Sequence, residues 1–297
     1  KAKSFKEFEK DKINKFYDEI DKYNQIAREK NYNPIIFPPT WKSSDSLRFL
    51  QAYQYNYYKT IESLRVHLQW RSDSLPIQIT IKAMEILNSG FLYVHGRDCR
   101  FRPIIIVVAK IYNKLKNKYT LADWETASVF LLEYIINHLL LSGQIETWNI
   151  IVDVESFSIV FPPKEFKSIM NTFHDHYKCR LNIMWVLNSG TIGSRVASKD
   201  LFIDSNSDRK VHFVKNNKKE ILSTVHHSQL ELKYGGTAAN VKEYYYPPIC
   251  PSDHYFINHD DNNLLVAEDL YVNLIKSNID LMQSPHLDTT IHKSNNF

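Results

Sequence analysis

The chain has 297 residues, 43% hydrophobic and 24% charged, with 37 basic against 33 acidic side chains. This composition excludes collagen-like, disordered and disulfide-scaffold proteins. A net charge of +4 is too mild for a groove that neutralises phosphates, so no nucleic-acid partner is expected. Three scattered cysteines (Cys99, Cys179, Cys250) form no CxxC pair, which argues against a secreted disulfide framework and a thiolate metal site. No run reaches the roughly 18 apolar residues of a membrane span. The most apolar stretch, Ser128 to Leu141, is broken by Glu133, Asn137 and His138. The chain starts at Lys1, and Lys1 to Lys22 lacks the apolar block of a signal peptide, so the expected address is cytoplasmic.

Residues 1–30 carry apolar side chains at helical steps: Phe5, Phe8, Ile13, Phe16, Tyr17, Ile20, Tyr23 and Ile26. Three prolines between Asn33 and Trp41 end that pattern. Helices are expected at Ser44 to Tyr53 and at Tyr57 to Trp70, the second capped by Asn56. Residues 1–75 therefore read as a helical lobe.

Beyond residue 90 the pattern alternates between strands and helices. Phe91 to His95, Arg102 to Ala109, Trp148 to Asp153, Ile183 to Asn188 and Lys210 to Val214 read as strands. Several of these runs are apolar on both faces, which predicts parallel strands covered by helices. Leu121 to Leu141, Pro163 to Tyr177 and Lys218 to Val225 have helical period. Residues 76–237 thus predict an α/β domain, and 238–297 an extension with a helical pattern at Leu264 to Ile279.

Enzyme signatures are sparse. The chain has no GxSxG, GxxxxGK[ST], HExxH or GxGxxG motif. Gly190-Thr-Ile-Gly193 is a weak phosphate-cradle match that a flexible loop would explain equally well. His174-Asp175-His176 has two histidines at i and i+2, which point apart on a helix. His226-His227 reads as a solvated pair. Asp153 ends a strand, where α/β folds place catalytic groups, but it also fits a buried carboxylate bonded to loop amides. The basic segment Lys110, Lys114, Lys116, Lys118 fits either a solvated loop or a contact with anionic lipid. No catalytic residue, metal site or cofactor is assigned.

An ordered series of motifs carries more information. It runs Asp45-Ser-Leu-Arg48-Phe49-Leu50, then Gly90 to Asp98 with Gly96, then Arg102-Pro103 and its apolar strand. Ile150 to Asp153, Tyr177 to Leu181 with Arg180, Val186 to Asn188, and Leu232-Lys-Tyr234-Gly235-Gly236 follow. In order and spacing the series resembles the CRAL-TRIO family of lipid-binding domains over residues 44–237.

The resemblance implies an α/β fold: a mostly parallel sheet flooring an apolar pocket, covering helices and a gate helix within Thr191 to Phe202, preceded by a small all-helical lobe. It implies a non-enzymatic carrier of one hydrophobic ligand, of phosphatidylinositol or phosphatidylcholine type, exchanged at membranes with which the protein associates transiently. Ile105, Val107, Phe157, Ile159, Ile192, Val196 and Phe202 are the expected apolar ligand contacts. Asp98, Arg180, Ser207 and Lys210 keep chemistry suited to a head group, although Arg180 and Lys210 also fit pairing with structural carboxylates.

Several positions depart from the phosphatidylinositol-transfer members. Their adjacent basic pair is Tyr53 and Gln54 here, and the proline and glutamate of their Tyr-Pro-Glu-Arg motif are Lys178 and Cys179. The glycine of Gly-Arg-Pro is Phe101, and the gate opens with Asn188-Ser-Gly190 instead of Asn-Ala-Pro. The gate is polar, with Ser194, Arg195, Ser198, Lys199 and Asp200 among its apolar residues. A retinoid- or tocopherol-like ligand stays open, as does an interaction module that transfers nothing.

Overall fold

The computed structural model describes residues 6–155, 164–188, 210–214 and 219–244. Three helices, α1 (Glu7–Glu29), α2 (Ser43–Ala52) and α3 (Tyr57–Ser74), bury one apolar stripe each around Phe16, Ile20, Phe49, Leu50 and Leu64. The proline-rich connection is clamped to α1, since the Asn24 amide donates to the Ile35 carbonyl at 3.0 Å and accepts from the Ile35 N–H at 2.7 Å. Asn56 caps α3 by accepting from the Lys59 N–H at 3.1 Å, the role its position predicts.

A further helix, α4 (Ile81–Asn88), leads into a five-stranded sheet. The strands are β1 (Leu92–Arg97), β2 (Pro103–Val108), β3 (Trp148–Asp153), β4 (Leu181–Leu187) and β5 (Val211–Val214). Spatial order equals chain order, with β1 antiparallel to β2 and the other neighbours parallel. Between β2 and β3 run α5 (Ala109–Leu115), α6 (Leu121–Tyr134) and a π-turn, Ile135–Leu139. Between β3 and β4 runs α7 (Lys164–His176), and a short α8 (Lys219–Leu222) follows β5.

Parallel strands laid down in one direction, joined by right-handed crossovers, put every crossover helix on the same face. That is the arrangement here. Ile105 and Val107, Ile150 and Val152, and Met184 and Val186 share one face with α4, α6 and α7. Ile104, Ile106, Ile151, Trp185 and Leu187 occupy the other, covered by Ile221, Val225, Leu230 and Tyr234. A sheet covered on both faces explains the continuous apolar runs of β2 and β3.

The structure differs from the sequence expectations at helix α4 (Ile81–Asn88), where no element was expected, and in the region between β2 and β3. The lysine-rich segment after β2 is not a loop up to Leu115 but helix α5, because Ala109 and Tyr112 bury one side of it. The helix expected to reach Leu141 changes to the π-turn at Ile135, whose terminal Leu139 carbonyl accepts from the buried Arg97 guanidinium at 3.0 Å.

Candidate functional site

Asp98, Arg180 and Lys210 come to one edge of the sheet. Asp98 follows β1 where β2 begins, Arg180 immediately precedes β4, and Lys210 immediately precedes β5. This is the N-terminal edge of the parallel strands. Ile105 and Val107 lie deeper, on the face beneath α6 and α7, and are buried. Phe157, Ile159, Ile192, Val196, Phe202 and Ser207, with the expected gate, lie outside the described residues.

Each of the described polar candidates, Asp98, Arg180 and Lys210, has protein partners. Asp98 Oδ1 accepts from the Arg100 and Arg102 N–H groups at 2.8 and 2.9 Å, and Oδ2 accepts from Asn149 Nδ2 at 2.9 Å and Arg102 Nη1 at 3.2 Å. Asn149 in turn accepts from the Asn182 amide at 2.7 Å, so a polar relay joins the β1–β2 turn to β3 and β4. The turn shows why glycine suits position 101. Phe101, where the family has glycine, sits at φ 60°, a left-handed conformation that a fully buried ring must hold in place.

Arg180 is buried and donates from Nη1 to the Glu146 carbonyl at 2.9 Å and to the Glu146 carboxylate at 2.7 Å. Arg48 of α2 reaches the same carboxylate at 2.6 Å and also pairs with Asp45. Burial and the neighbouring Arg48 pull the Arg180 pKa down to about 10. Burial would raise the Glu146 carboxyl, but Arg48 and Arg180 together hold it below the usual carboxylate range. This cluster ties the helical region to the sheet edge. Lys210 Nζ donates to the Leu181 carbonyl at 2.8 Å.

Two positions that depart from the phosphatidylinositol-transfer pattern meet. Lys178 Nζ lies 5.1 Å over the Tyr53 ring, within cation–π range, and 4.0 Å from Asp175.

A second contact between helices and sheet unit is aromatic. His67 of α3 lies against Trp41, Phe49 and Trp70, and its ring centroid is 5.6 Å from that of His176 on α7. Burial, aided by Arg71, His176, Arg48 and Lys178, pulls the His67 pKa from 6.5 to about 2. Burial also lowers His176 to about 4, against the opposing pull of Asp175. His174 pairs instead with Asp175 at 3.0 Å. Asp153 accepts from the Glu155 N–H at 3.1 Å and the Asn188 amide at 2.8 Å, which is the buried-carboxylate arrangement.

The sequence did not point to Val152 or Phe213, which with Val186 extend the sheet face carrying Ile105 and Val107. Strand register was the missing signal, for Val107 pairs with Val152 and Val152 with Val186. It also moves Ile104, Ile106 and Ile183 to the opposite face. A separate cleft of about 740 Å³ opens between the Ile36–Pro39 loop, the end of α3 and α6, and none of the described ligand candidates lines it.

Comparison with known proteins fits this geometry. A sequence model of the CRAL/TRIO domain matches residues 87–236, half of the chain. The chain belongs to the CRAL/TRIO family. Among solved structures it is similar to Sfh5, with a TM-score of 0.60 and 14% identity over 82% of this chain and 94% of that one. At that identity the likeness concerns the fold. No curated protein sequence matches the chain. The CRAL/TRIO fold and the apolar sheet face support lipid binding. No helix among the described residues is long and apolar enough to cross a membrane.

Proposed function

We propose that this CRAL/TRIO protein is a cytoplasmic, non-enzymatic lipid carrier that holds one phospholipid, of phosphatidylinositol or phosphatidylcholine type, and exchanges it at membranes. Two acyl chains carry roughly 30 methylenes at about 0.8 kcal/mol each, so the lipid crosses water only inside a protein cavity. The observation that carries the reading is the sheet face of Ile105, Val107, Val152, Val186 and Phe213 in a member of a lipid-binding family. The β4–β5 connection must return across this face if it obeys the right-handed crossover rule. That connection contains the proposed gate contacts Ile192, Val196 and Phe202, while Phe157 and Ile159 belong to the β3–α7 connection.

In this reading the acyl chains follow the apolar face and the head group meets the N-terminal strand edge at Asp98, Arg180, Ser207 and Lys210. Release is limited by gate motion rather than bond chemistry. The prior engagement of Asp98, Arg180 and Lys210 by protein partners favours the rival reading, an interaction module that transfers nothing. Transfer of fluorescent phosphatidylcholine and phosphatidylinositol between vesicles separates the two. The carrier reading expects transfer that falls at least tenfold in Ile192→Asp or Val196→Asp, since a buried charge opposes closure on an acyl chain. Folded protein that transfers neither lipid contradicts it.

A further inference from the structure

The C-terminal ends of the parallel strands form a second edge, where Val108 is in register with Asp153, Asp153 with Leu187 and Leu187 with Val214. The connections that leave β3 and β4, including the proposed gate, start from this edge. Helix α5 starts there too, directly after Val108. Ala109 and Tyr112 are buried, and Ile111 and Leu115 pack on the same core, so the helix is held rigidly. Its outward side and the turn after it expose Lys110, Lys114, Lys116 and Lys118.

No Asp or Glu occurs between Asp98 and Asp123. Among the described residues, carboxylates from elsewhere reach only the ends of the run. Glu155 lies 3.8 Å from Lys110, and Glu85 3.0 Å from Lys118, in exposed pairs of little energetic weight. Lys114 and Lys116 stand between them, Lys116 donating to the Asn113 side-chain oxygen at 3.5 Å. Their placement at the C-terminal end of α5 also suits the helix dipole.

We infer that the lysine face of α5 is an electrostatic docking surface for anionic bilayers, presenting the C-terminal strand edge to the membrane. A lysine near an anionic surface contributes about 1 kcal/mol, or roughly fivefold in binding. Three of them amount to about 100-fold. The gate sequence, with its narrow apolar stripe, offers little insertion to replace this attraction. A bilayer suits the face better than nucleic acid because the chain as a whole is only mildly basic. The inference rests on the carrier reading for its purpose, but docking is measurable without transfer.

The test is flotation of the full chain with vesicles of phosphatidylcholine alone or with phosphatidylserine added. Binding should require phosphatidylserine, weaken as salt rises from about 0.1 to 0.5 M, and fall by more than about 100-fold in the triple variant Lys110→Glu, Lys114→Glu, Lys116→Glu. The triple Lys→Gln variant at the same positions, which removes the attraction without adding repulsion, should fall about 100-fold. A control reversing Lys10, Lys30 and Lys59 makes the same change in net charge and should bind nearly as the wild type does. Equal binding to neutral vesicles, an unaffected α5 triple variant, or an equal loss in the control would overturn the proposal. So would α5-dependent binding to an RNA oligonucleotide without binding to vesicles. Docking without any lipid uptake would sink the carrier reading and leave this one standing. Lipid transfer at equal rates to neutral and anionic vesicles would do the reverse.

Discussion

The indole of Trp70 lies flat against the imidazole of His176, with centroids 4.1 Å apart and planes within 5°. Trp70 belongs to α3 and His176 to α7, so this stack joins the helical region to the unit that carries the sheet. His67 extends the stack and is 4% exposed, and neither His67 Nδ1 nor His176 Nδ1 has a hydrogen-bond partner among the described residues.

This junction predicts acid sensitivity. Both histidines have folded pKa values below 6.5, about 2 for His67 and about 4 for His176. Below pH 6.5 the unfolded chain binds protons that the folded state refuses, so stability falls with pH. His67 alone contributes a slope of about 1.4 kcal/mol per pH unit between 6.5 and its folded value. Urea unfolding at pH 7.5, 6.5, 5.5 and 4.5 should show this decline, and His67→Phe should flatten it. A midpoint independent of pH across that range would contradict the account.

The shared carboxylate of Glu146 carries the second prediction. Glu146→Gln leaves Arg48 and Arg180 facing each other, two partly or fully buried cations without their common anion. Breaking such a pair costs about 3–5 kcal/mol, an upper range given the partial exposure of Arg48 and Glu146. Thermal unfolding should drop accordingly. A variant as stable as the wild type would show that Asp45 alone neutralises the pair.

Gly96 gives the third. A Cβ there would stand 2.0 Å from the Gln229 carbonyl oxygen, on a residue with φ +72°. Gly143 has a similar φ of +78° and open space around it. Gly96→Ala should therefore cost about 3 kcal/mol and Gly143→Ala about 1 kcal/mol, the difference being the steric clash. Equal losses in urea unfolding would mean that backbone conformation alone decides both positions.

Much of the fold was legible because its signals are local. The Asn56 cap, the apolar runs of β2 and β3 and the period of α1 are each contained within a few residues. Helix α4 was missed because eight residues carry too few turns to show a period. In α5, lysines obscured the short apolar stripe of Ala109 and Tyr112. The candidate site was less legible because its contacts span the chain. Arg48 and Glu146 are 98 residues apart, and only the folded junction makes them neighbours. Lys178 over Tyr53 is hidden in the same way, since each residue alone reads as a lost motif position. The two faces of a fully apolar strand look alike in a sequence, so Ile105 and Ile106 separate onto opposite faces only through strand register.

The central claim is that a lipid occupies this protein, and identification of the bound molecule tests it most directly. The full chain would be purified, incubated with mixed-phospholipid vesicles, re-isolated and extracted with organic solvent for mass spectrometry. The account predicts one phosphatidylinositol or phosphatidylcholine per chain, displaced when the excess vesicles carry the other. Folded protein that yields no lipid, both as purified and after incubation, would contradict it.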